Sequence, residues 1–258
     1  MPSLLTWIIN LKPHLASFRF YEELNDFLPP ENHKQSIAYR FGGQPAIKAP
    51  IEVLGVPHSE VDLILVNGES MGFDYKLQHG DRVAVYPVFE SFDISPLQRL
   101  RPKPLRNTAF IVDVNLGKLA RRLRMLGFDA AYDNQLDDGE IVDIAVCEKR
   151  IVLTRDRKLL FRKAVTHGLW IRAVDAEAQL KEVVERLDLY GQVKPLQRCM
   201  ECNGNMESVA KERVWSRLKP LTRRYYSEFF CCTCCHKVYW PGSHVAHMTG
   251  VIRELLER

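Results

Sequence analysis

The chain has 258 residues, of which 46% are hydrophobic and 26% charged, and its formal net charge is +4 at pH 7. This is globular composition with no strong bias toward disorder, so the chain is expected to fold. No apolar run approaches the roughly 18 residues of a membrane helix, and the opening residues lack a basic start and a small-residue cleavage site. We therefore expect a cytoplasmic protein with no membrane partner, built from two or three domains.

Residues 1–90 form the first predicted domain, which is α+β and rich in short strands. The segments ASFRF, SIAYRF and DRVAVYPVF predict strands, and YEELNDFL predicts a helix. With the turn His79-Gly80-Asp81 before its last strand, this order resembles the β-grasp fold of ubiquitin-like sulfur carriers. Those carriers act through a free C-terminal Gly-Gly, whereas this chain continues into ESFDISPLQRL. We therefore expect a domain that docks a protein partner and has no carrier chemistry.

Residues 91–106 are predicted to be a linker, because they contain several prolines and arginines without a sustained period. From residue 107 to residue 192, strand and helix patterns then alternate. The helix LGKLARRLRMLG places four leucines on one face, RKLLFRKAVTHG predicts a later helix, and Cys147 is expected in the core. Such alternation predicts an α/β domain with a parallel sheet and helices on both faces.

Acidic residues follow the predicted strands of this second domain. Asp113 comes after FIV, Asp156 comes after IVLTR, and Asp138 opens the helix after the second strand. Active groups of open parallel sheets gather at the carboxyl ends of the strands, so these acids are expected to converge there. Carboxylate oxygens are the ligands that Mg²⁺ and Mn²⁺ prefer, and such ions are held by a few acids together with substrate phosphate.

The same acids have a structural alternative. Asp137 and Glu140 have capping-box spacing, Asp156 can cap the helix RKLLFRK, and Asp113 can close a turn. Each helix needs only one cap, whereas three strand ends here present acids to one edge. The metal site is therefore the preferred hypothesis.

Several motifs together resemble a known family. FIVDVNLGKLARRLRMLGFDA, DDGEIVDIA and RIVLTRDRKL, followed by paired Cys-x-x-Cys and KVYWPGSH, are similar to the PIN-like ribonuclease domain named after the C-terminal region of the Mut-seven exonuclease. The resemblance covers about residues 107–248, and bacterial members often carry a ubiquitin-like domain in front. It implies a metal-dependent ribonuclease fold whose acids hold Mg²⁺ or Mn²⁺. Matched motif by motif, it implies Asp113, Asp138 and Asp156 as catalytic acids, with Glu140 beside Asp138. Asp143 and Asp175 are weaker candidate acids for the same site, because the family pattern does not require them as clearly. Of the nearby arginines, Arg124 and Arg155 are predicted to contact phosphate.

Residues 193–258 are predicted to form a zinc-ribbon-like module with a basic tail. Cys199 and Cys202 form one Cys-x-x-Cys pair, and CCTCC offers a second pair in two registers. The family pattern places its second pair directly before a turn and KVYW, which implies Cys232 and Cys235 as zinc ligands and leaves Cys231 and Cys234 spare. The long interval between the pairs predicts an inserted hairpin or helix, and His236 stands where the family usually has a small turn residue.

The basic character lies at this end of the chain. From Tyr190 onward, eleven Lys or Arg stand against six Glu, with aromatic residues interleaved. A solvated surface explains many such excesses, but the mixture of charges and rings suits nucleic acid. We therefore predict a divalent-metal-dependent ribonuclease that hydrolyses RNA phosphodiesters and carries a structural zinc. The alternative is a non-catalytic RNA-binding or scaffold protein that uses the β-grasp domain for partner docking.

Overall fold

The structure is a computed structural model that describes residues 13–87 and 108–242. These residues fall into two compact units, one of residues 13–87 with 160–166 and the other of residues 108–159 with 167–242. The predicted linker, residues 91–106, lies outside the described residues. No helix within the two described ranges is long and apolar enough to cross a bilayer.

The first unit is built on a mixed five-stranded sheet. Its strands are β1 (His14–Phe20), β2 (Ile37–Phe41), β3 (Leu63–Val66), β4 (Glu69–Ser70) and β5 (Arg82–Tyr86), and its α-helix is α1 (Lys48–Val53). The sheet order is β2-β1-β5-β3-β4, and β1 and β5 pair in parallel at its centre. This is the predicted β-grasp arrangement.

The predicted turn before β5 is held by one buried carboxylate. Gly80 has φ +88°, which a glycine adopts without a Cβ penalty. Asp81 accepts hydrogen bonds from the backbone N–H of Gln78 at 2.8 Å, the Asn67 amide at 3.0 Å and the Tyr75 hydroxyl at 3.1 Å. The Gly-Asp pair therefore fixes the entry of the chain into the central strand β5.

The segment YEELNDFL forms a 3₁₀ helix over Glu22–Phe27, where the sequence predicts an ordinary helix. The Asn25 amide donates to the backbone carbonyls of Phe20 at 3.0 Å and Glu22 at 2.9 Å. An Asn side chain that bonds nearby carbonyls competes with the α-helical ladder, so the tighter turn forms instead.

The second unit contains a four-stranded parallel sheet in the order β7-β6-β8-β9. Its strands are β6 (Ala109–Val112), β7 (Asp129–Ala131), β8 (Ile151–Thr154) and β9 (Gly168–Trp170). Its helices are α2 (Gly117–Met125), α3 (Asp138–Glu148), α4 (Arg157–Leu160) and α5 (Ala176–Arg186). The crossovers through α2 and α3 run in opposite directions along the sheet, and right-handed connections then place the two helices on opposite faces.

Helix α2 has the predicted buried stripe. Leu116, Leu119, Leu123 and Leu126 are all at most 1% exposed, and α2 packs on β6, β7 and α5. Helix α4 is shorter than predicted and ends at Leu160. β-branched Val165 and Thr166 disfavour a continued helix, and a hydrogen bond from the Val165 N–H to the Arg162 carbonyl, 2.9 Å long, closes a turn instead.

The same unit also contains the cysteine-rich module. Its antiparallel sheet has the order β10-β11-β12, with β10 (Met206–Ser208), β11 (Phe230–Cys232) and β12 (Val238–Tyr239). The predicted insertion between the cysteine pairs holds two short helices, α6 (Lys211–Val214) and α7 (Pro220–Tyr225). They pack over a small apolar cluster of Val214, Leu218 and Phe229.

Candidate active site and metal centre

Asp113 and Thr154 meet at the carboxyl ends of the two central parallel strands. Val112 pairs with Leu153, so the residues that follow them lie side by side. Asp113 is 5% exposed and Thr154 is fully buried, and the Thr154 hydroxyl donates to Asp113 Oδ2 at 2.6 Å. In residues 13–87 and 108–242, no other side chain donates a hydrogen bond to the Asp113 carboxylate. A buried carboxylate with one partner retains lone pairs for a ligand.

Asp156 is linked to this pair through its backbone. Its N–H donates to Thr154 Oγ1 at 2.8 Å, while its carboxylate accepts from the Lys158 N–H at 2.8 Å and thereby caps α4. The capping interpretation of this exposed acid is therefore present in the structure. An N-cap uses one carboxylate oxygen, so the cap and a ligand role are compatible.

The acids of α3 lie on an exposed helix start. Asp137 and Glu140 form the predicted capping box, with both reciprocal hydrogen bonds at 2.9 Å. Asp138 is the first residue of the helix, and Asp143 lies one turn later, both exposed. The Glu140 carboxylate is therefore already hydrogen-bonded to the backbone at the start of α3.

Asp175 occupies the start of α5. Its carboxylate accepts from the backbone N–H groups of Glu177 at 2.8 Å and Ala178 at 3.3 Å. The bond from Glu177 is the largest of the effects that lower the pKa of this carboxyl group. Asp175 is thus a helix cap that stays ionised at the same edge of the sheet.

The structure does not gather three acids into one compact cluster. In its described residues, the sole group of three or more potential metal ligands whose donor atoms all approach within 4.8 Å is formed by cysteines. Asp113, Asp138 and Asp156 follow or flank strands of one sheet without reaching that spacing. The hydrogen-bonded connection is limited to Asp113, Thr154 and Asp156.

The two predicted phosphate contacts have different surroundings. Arg124 is 3% exposed, and its guanidinium donates to the carbonyls of Ala130 at 2.8 Å, Met200 at 3.2 Å and Glu201 at 2.8 Å. Burial lowers the pKa of Arg124, and these carbonyls satisfy its donors. It therefore joins α2 and β7 to the cysteine-rich module. Arg155 is exposed directly before Asp156, where a phosphate can reach it.

Four thiols come together in the cysteine-rich module. They belong to Cys199, Cys202, Cys232 and Cys235, and their sulfur atoms all lie within 4.8 Å of one another. The Sγ atoms of Cys199 and Cys235 are 3.6 Å apart, and those of Cys202 and Cys232 are 3.4 Å apart. Four cysteine sulfurs at this spacing are compatible with a tetrahedral structural zinc ion.

The two cysteine pairs form equivalent backbone turns. This explains why Cys232 and Cys235, and not Cys231 and Cys234, belong to the four-sulfur group. Asn203 N–H donates to the Cys199 carbonyl at 2.9 Å, and His236 N–H donates to the Cys232 carbonyl at 3.1 Å. The backbone N–H groups of Cys234 and Cys235 both point at Cys232 Sγ, at 3.4 Å. Cys231 belongs to the other face of β11, where its thiol approaches the His236 carbonyl at 3.4 Å. Cys231 and Cys234 therefore stand outside the four-sulfur group.

His236 adopts the left-handed conformation that the family's small turn residue would adopt. Its φ is +59°, and the equivalent Asn203 has φ +64°. Asn and His both adopt this region more often than most other non-glycine residues. The turn geometry is thus kept without glycine.

Electrostatics favour a thiolate within the cluster. Burial raises the pKa of the Cys199 thiol, but hydrogen bonds from the Cys202 N–H and the Tyr239 hydroxyl outweigh this and lower it to about 7. Tyr239 Oη lies 3.1 Å from Cys199 Sγ. Several thiolates this close repel one another unless a cation is bound, so the cluster fits a divalent metal.

Two supporting residues were missed by the motif analysis. A Cβ on Gly204 would lie 3.0 Å from Cys232 Sγ and 2.8 Å from Cys234 Cβ, so only glycine lets the two turns approach. The Asn203 amide accepts from the Ala130 N–H at 3.0 Å and donates to Asp129 at 2.7 Å, which attaches the first turn to β7. The segment CNGN contains both residues, but the partners of Asn203 lie about 70 residues earlier in the chain. Cys147, expected in the core, is exposed on α3 because it lies on the side of the helix away from the sheet.

Comparisons with known proteins identify both parts of the chain. The family model of the Mut7-C RNAse domain matches residues 108–252, and the model of the Mut7-C ubiquitin domain matches residues 14–93. Neither the curated proteins nor the solved structures give a significant match. The first match covers more than half of the chain and contains the parallel sheet, its acids and the four-cysteine cluster. The chain therefore belongs to the Mut7-C RNAse domain family, with a ubiquitin-like domain at its N-terminal side.

Proposed function

We propose that this protein is a divalent-metal-dependent ribonuclease that hydrolyses RNA phosphodiesters at the carboxyl edge of its parallel sheet. The observation that carries the proposal is the directed chain from the Asp156 N–H to Thr154 Oγ1 and from the Thr154 hydroxyl to Asp113 Oδ2, at 2.8 and 2.6 Å. Because that hydroxyl has one proton and accepts from the Asp156 N–H, its single O–H donor is directed at Asp113 Oδ2, which fixes the orientation of the carboxylate. The family match supports the same reaction class.

The donor chemistry at this edge fits Mg²⁺ or Mn²⁺. Such ions are held by one or two carboxylates, waters and substrate phosphates more often than by a complete protein cage, so three tightly clustered acids are not required. Asp113 and Asp156 would hold the ion, with Asp138 reaching it when RNA is bound. When present, the ion would activate a water molecule and neutralise charge on the phosphoryl oxygens.

The remaining roles belong to the protein's own side chains. Thr154 fixes the rotamer of Asp113, so the carboxylate needs no reorganisation when substrate arrives. Arg155, exposed beside Asp156, would hold a phosphate through two parallel hydrogen bonds. The four-cysteine cluster would hold zinc as a structural element, which requires reduced thiols and so a reducing compartment such as the cytoplasm. The ubiquitin-like domain would dock a protein partner.

RNA cleavage by the purified full-length protein tests the proposal. We expect cleavage with added Mn²⁺ or Mg²⁺, no cleavage when both are omitted, and products with 5′-phosphate and 3′-hydroxyl ends. Metal should be omitted rather than chelated, since a chelator would also remove structural zinc. Asp113→Asn should lower cleavage by a factor on the order of 100 or more. Metal-independent cleavage, or full activity in Asp113→Asn, would refute the mechanism.

A second function is favoured by the capping contacts. Asp156, Asp175 and Glu140 each satisfy the backbone of a helix start. If these acids serve only as caps, the protein is a non-catalytic RNA-binding or scaffold protein that docks partners through its ubiquitin-like domain. Retained RNA binding without cleavage under any divalent metal would favour this alternative.

A further inference from the structure

A long groove of about 1630 Å³ lies between the α2 and α5 side of the second unit and its cysteine-rich module. We call it the α2–α7 groove. Its walls are made by α2 on one side and by α7 with β12 on the other. The lining residues that matter below are Asn115, Lys118, Arg121, Leu221 and Tyr225.

One end of the α2–α7 groove opens at the carboxyl edge of the parallel sheet. Asn115, two residues after Asp113, lines it, as do Tyr132 after β7 and Asp175 after β9. A chain lying in the groove would therefore end beside the acids assigned to catalysis above. The groove therefore adjoins the edge of the sheet that carries the proposed site.

The α2 wall of the groove is basic. Lys118, Arg121 and Arg122 line it, and in the described part of the chain no acid pairs with Lys118. Arg121 pairs with Glu201, but the two side chains are 57% and 39% exposed, and such surface pairs contribute only about 0–1 kcal/mol. Phosphate oxygens can therefore displace Glu201 at little cost.

The opposite wall presents apolar and aromatic groups to solvent. Leu221 and Tyr225 are 69% and 67% exposed on α7. The Arg224 guanidinium lies 5.7 Å from the centroid of the Tyr225 ring. Exposed rings among cations are the surface on which unpaired bases stack.

We propose that the α2–α7 groove binds single-stranded RNA and leads it to the acidic edge of the sheet. The phosphates follow Lys118 and Arg121 on α2, and unpaired bases stack on Tyr225. Duplex RNA is excluded because its bases are stacked on one another and cannot reach the α7 wall. The choice of RNA rests on the proposed function, whereas the single-stranded form rests on this arrangement of charge and rings.

Binding can be measured apart from cleavage. Fluorescence anisotropy of a labelled single-stranded RNA, in buffer without Mg²⁺ or Mn²⁺, reports affinity for the full-length protein. We expect Tyr225→Ala to weaken binding about 5- to 100-fold, the size of one lost stacking contact, and Tyr225→Phe to retain it. Arg121→Ala should weaken binding and reduce its salt dependence, because one phosphate contact is lost. Zinc content and circular dichroism confirm that each variant is folded.

Trp215 supplies the matched control. It is 48% exposed and flanked by Lys211 and Arg223, but it does not line the groove. Trp215→Ala should bind RNA like the parent protein. Equal losses in Trp215→Ala and Tyr225→Ala, an unchanged affinity in Tyr225→Ala, or equally tight binding of a duplex of the same sequence would overturn the groove proposal.

The two proposals fail separately. If the parent protein does not cleave RNA but Tyr225→Ala loses binding, the nuclease mechanism fails and the groove stands. If cleavage depends on Asp113 while Tyr225→Ala and Arg121→Ala bind normally, the groove proposal fails and the mechanism stands.

Discussion

The Thr154 hydroxyl donates a hydrogen bond of 2.6 Å to the carboxylate of Asp113, across the two central strands of the parallel sheet. Both side chains are buried, so water does not compete with this bond. The Thr154 oxygen in turn accepts from the Asp156 N–H, which connects the ends of β6 and β8. One hydroxyl therefore positions the two acids that matter most to the proposed chemistry.

Replacing this hydroxyl tests the connection. Thr154→Val keeps the side-chain shape but leaves the Asp113 carboxylate and the Asp156 N–H without their shared partner. The free energy of unfolding should therefore fall by about 1–3 kcal/mol. Cleavage should fall by a factor on the order of 10–100 because Asp113 is no longer oriented. Thr154→Ser, which retains the hydroxyl, should recover most of both properties. Urea denaturation and RNA cleavage measure the two effects, and parental activity in Thr154→Val would contradict the positioning role.

Asp156→Asn separates capping from metal binding. Asn caps helices about as well as Asp, so the bond to the Lys158 N–H should persist and stability should change by less than about 0.5 kcal/mol. If the carboxylate is a ligand, divalent-dependent cleavage should fall by a factor on the order of 100. Asp137→Asn is the matched control, since Asp137 caps α3 and has no proposed catalytic role. Equal cleavage by Asp156→Asn and Asp137→Asn would show that Asp156 is only a cap.

The features of the fold that the sequence predicts correctly depend on residues that lie close together in the chain. The leucine stripe of α2, the capping box of α3 and the Gly-Asp turn each depend on neighbours within a few residues, and each is present in the structure. Helix α4 is an exception, since it ends at Leu160, short of its predicted length, and the β-branched Val165 and Thr166 that follow favour a turn instead. Arg124 is predicted to contact phosphate, yet in the structure its guanidinium donates to the carbonyls of Met200 and Glu201, more than 70 residues along the chain. Such pairings become visible only when the two segments are brought together.

Gly127 is expected to be the least replaceable glycine of the second unit. Its φ is +96°, and a Cβ there would lie 2.0 Å from the Lys194 carbonyl oxygen, which belongs to the backbone and cannot rotate away. Gly127→Ala should therefore lower the free energy of unfolding by several kcal/mol. A positive φ alone would cost an alanine only roughly 1 kcal/mol. Gly68→Ala is the control, with φ +93° and open space around its Cβ. Thermal unfolding of both variants measures the difference, and equal shifts would show that the contact with Lys194 relaxes freely.

The two left-handed turn residues should respond differently to glycine. His236→Gly removes the strain of a side chain at φ +59° but makes the unfolded chain more flexible, so stability should stay within about 1 kcal/mol of the parent. Asn203→Gly also relieves strain, but it deprives the Ala130 N–H of its partner and removes one hydrogen bond from Asp129, which keeps its contacts with Arg150 and Arg198. The free energy of unfolding should therefore fall by about 1–3 kcal/mol. Denaturant unfolding of zinc-loaded protein tests the contrast. A larger loss in His236→Gly than in Asn203→Gly would contradict the assigned docking role.

The choice of cysteines makes the zinc prediction specific. We expect one zinc per chain, held by the sulfurs of Cys199, Cys202, Cys232 and Cys235, which are the four that approach within 4.8 Å. Cys235→Ser should lose zinc and unfold part of the module, because the metal's binding energy is also folding energy. Cys234→Ser is one residue away, exposed and outside the group, so it should retain zinc. Elemental analysis after purification without chelator gives the stoichiometry, and denaturant unfolding gives the stability. Zinc lost from Cys234→Ser and kept by Cys235→Ser would show that the other register binds the metal. Absence of zinc from the parent protein would show that the four thiols serve a different purpose.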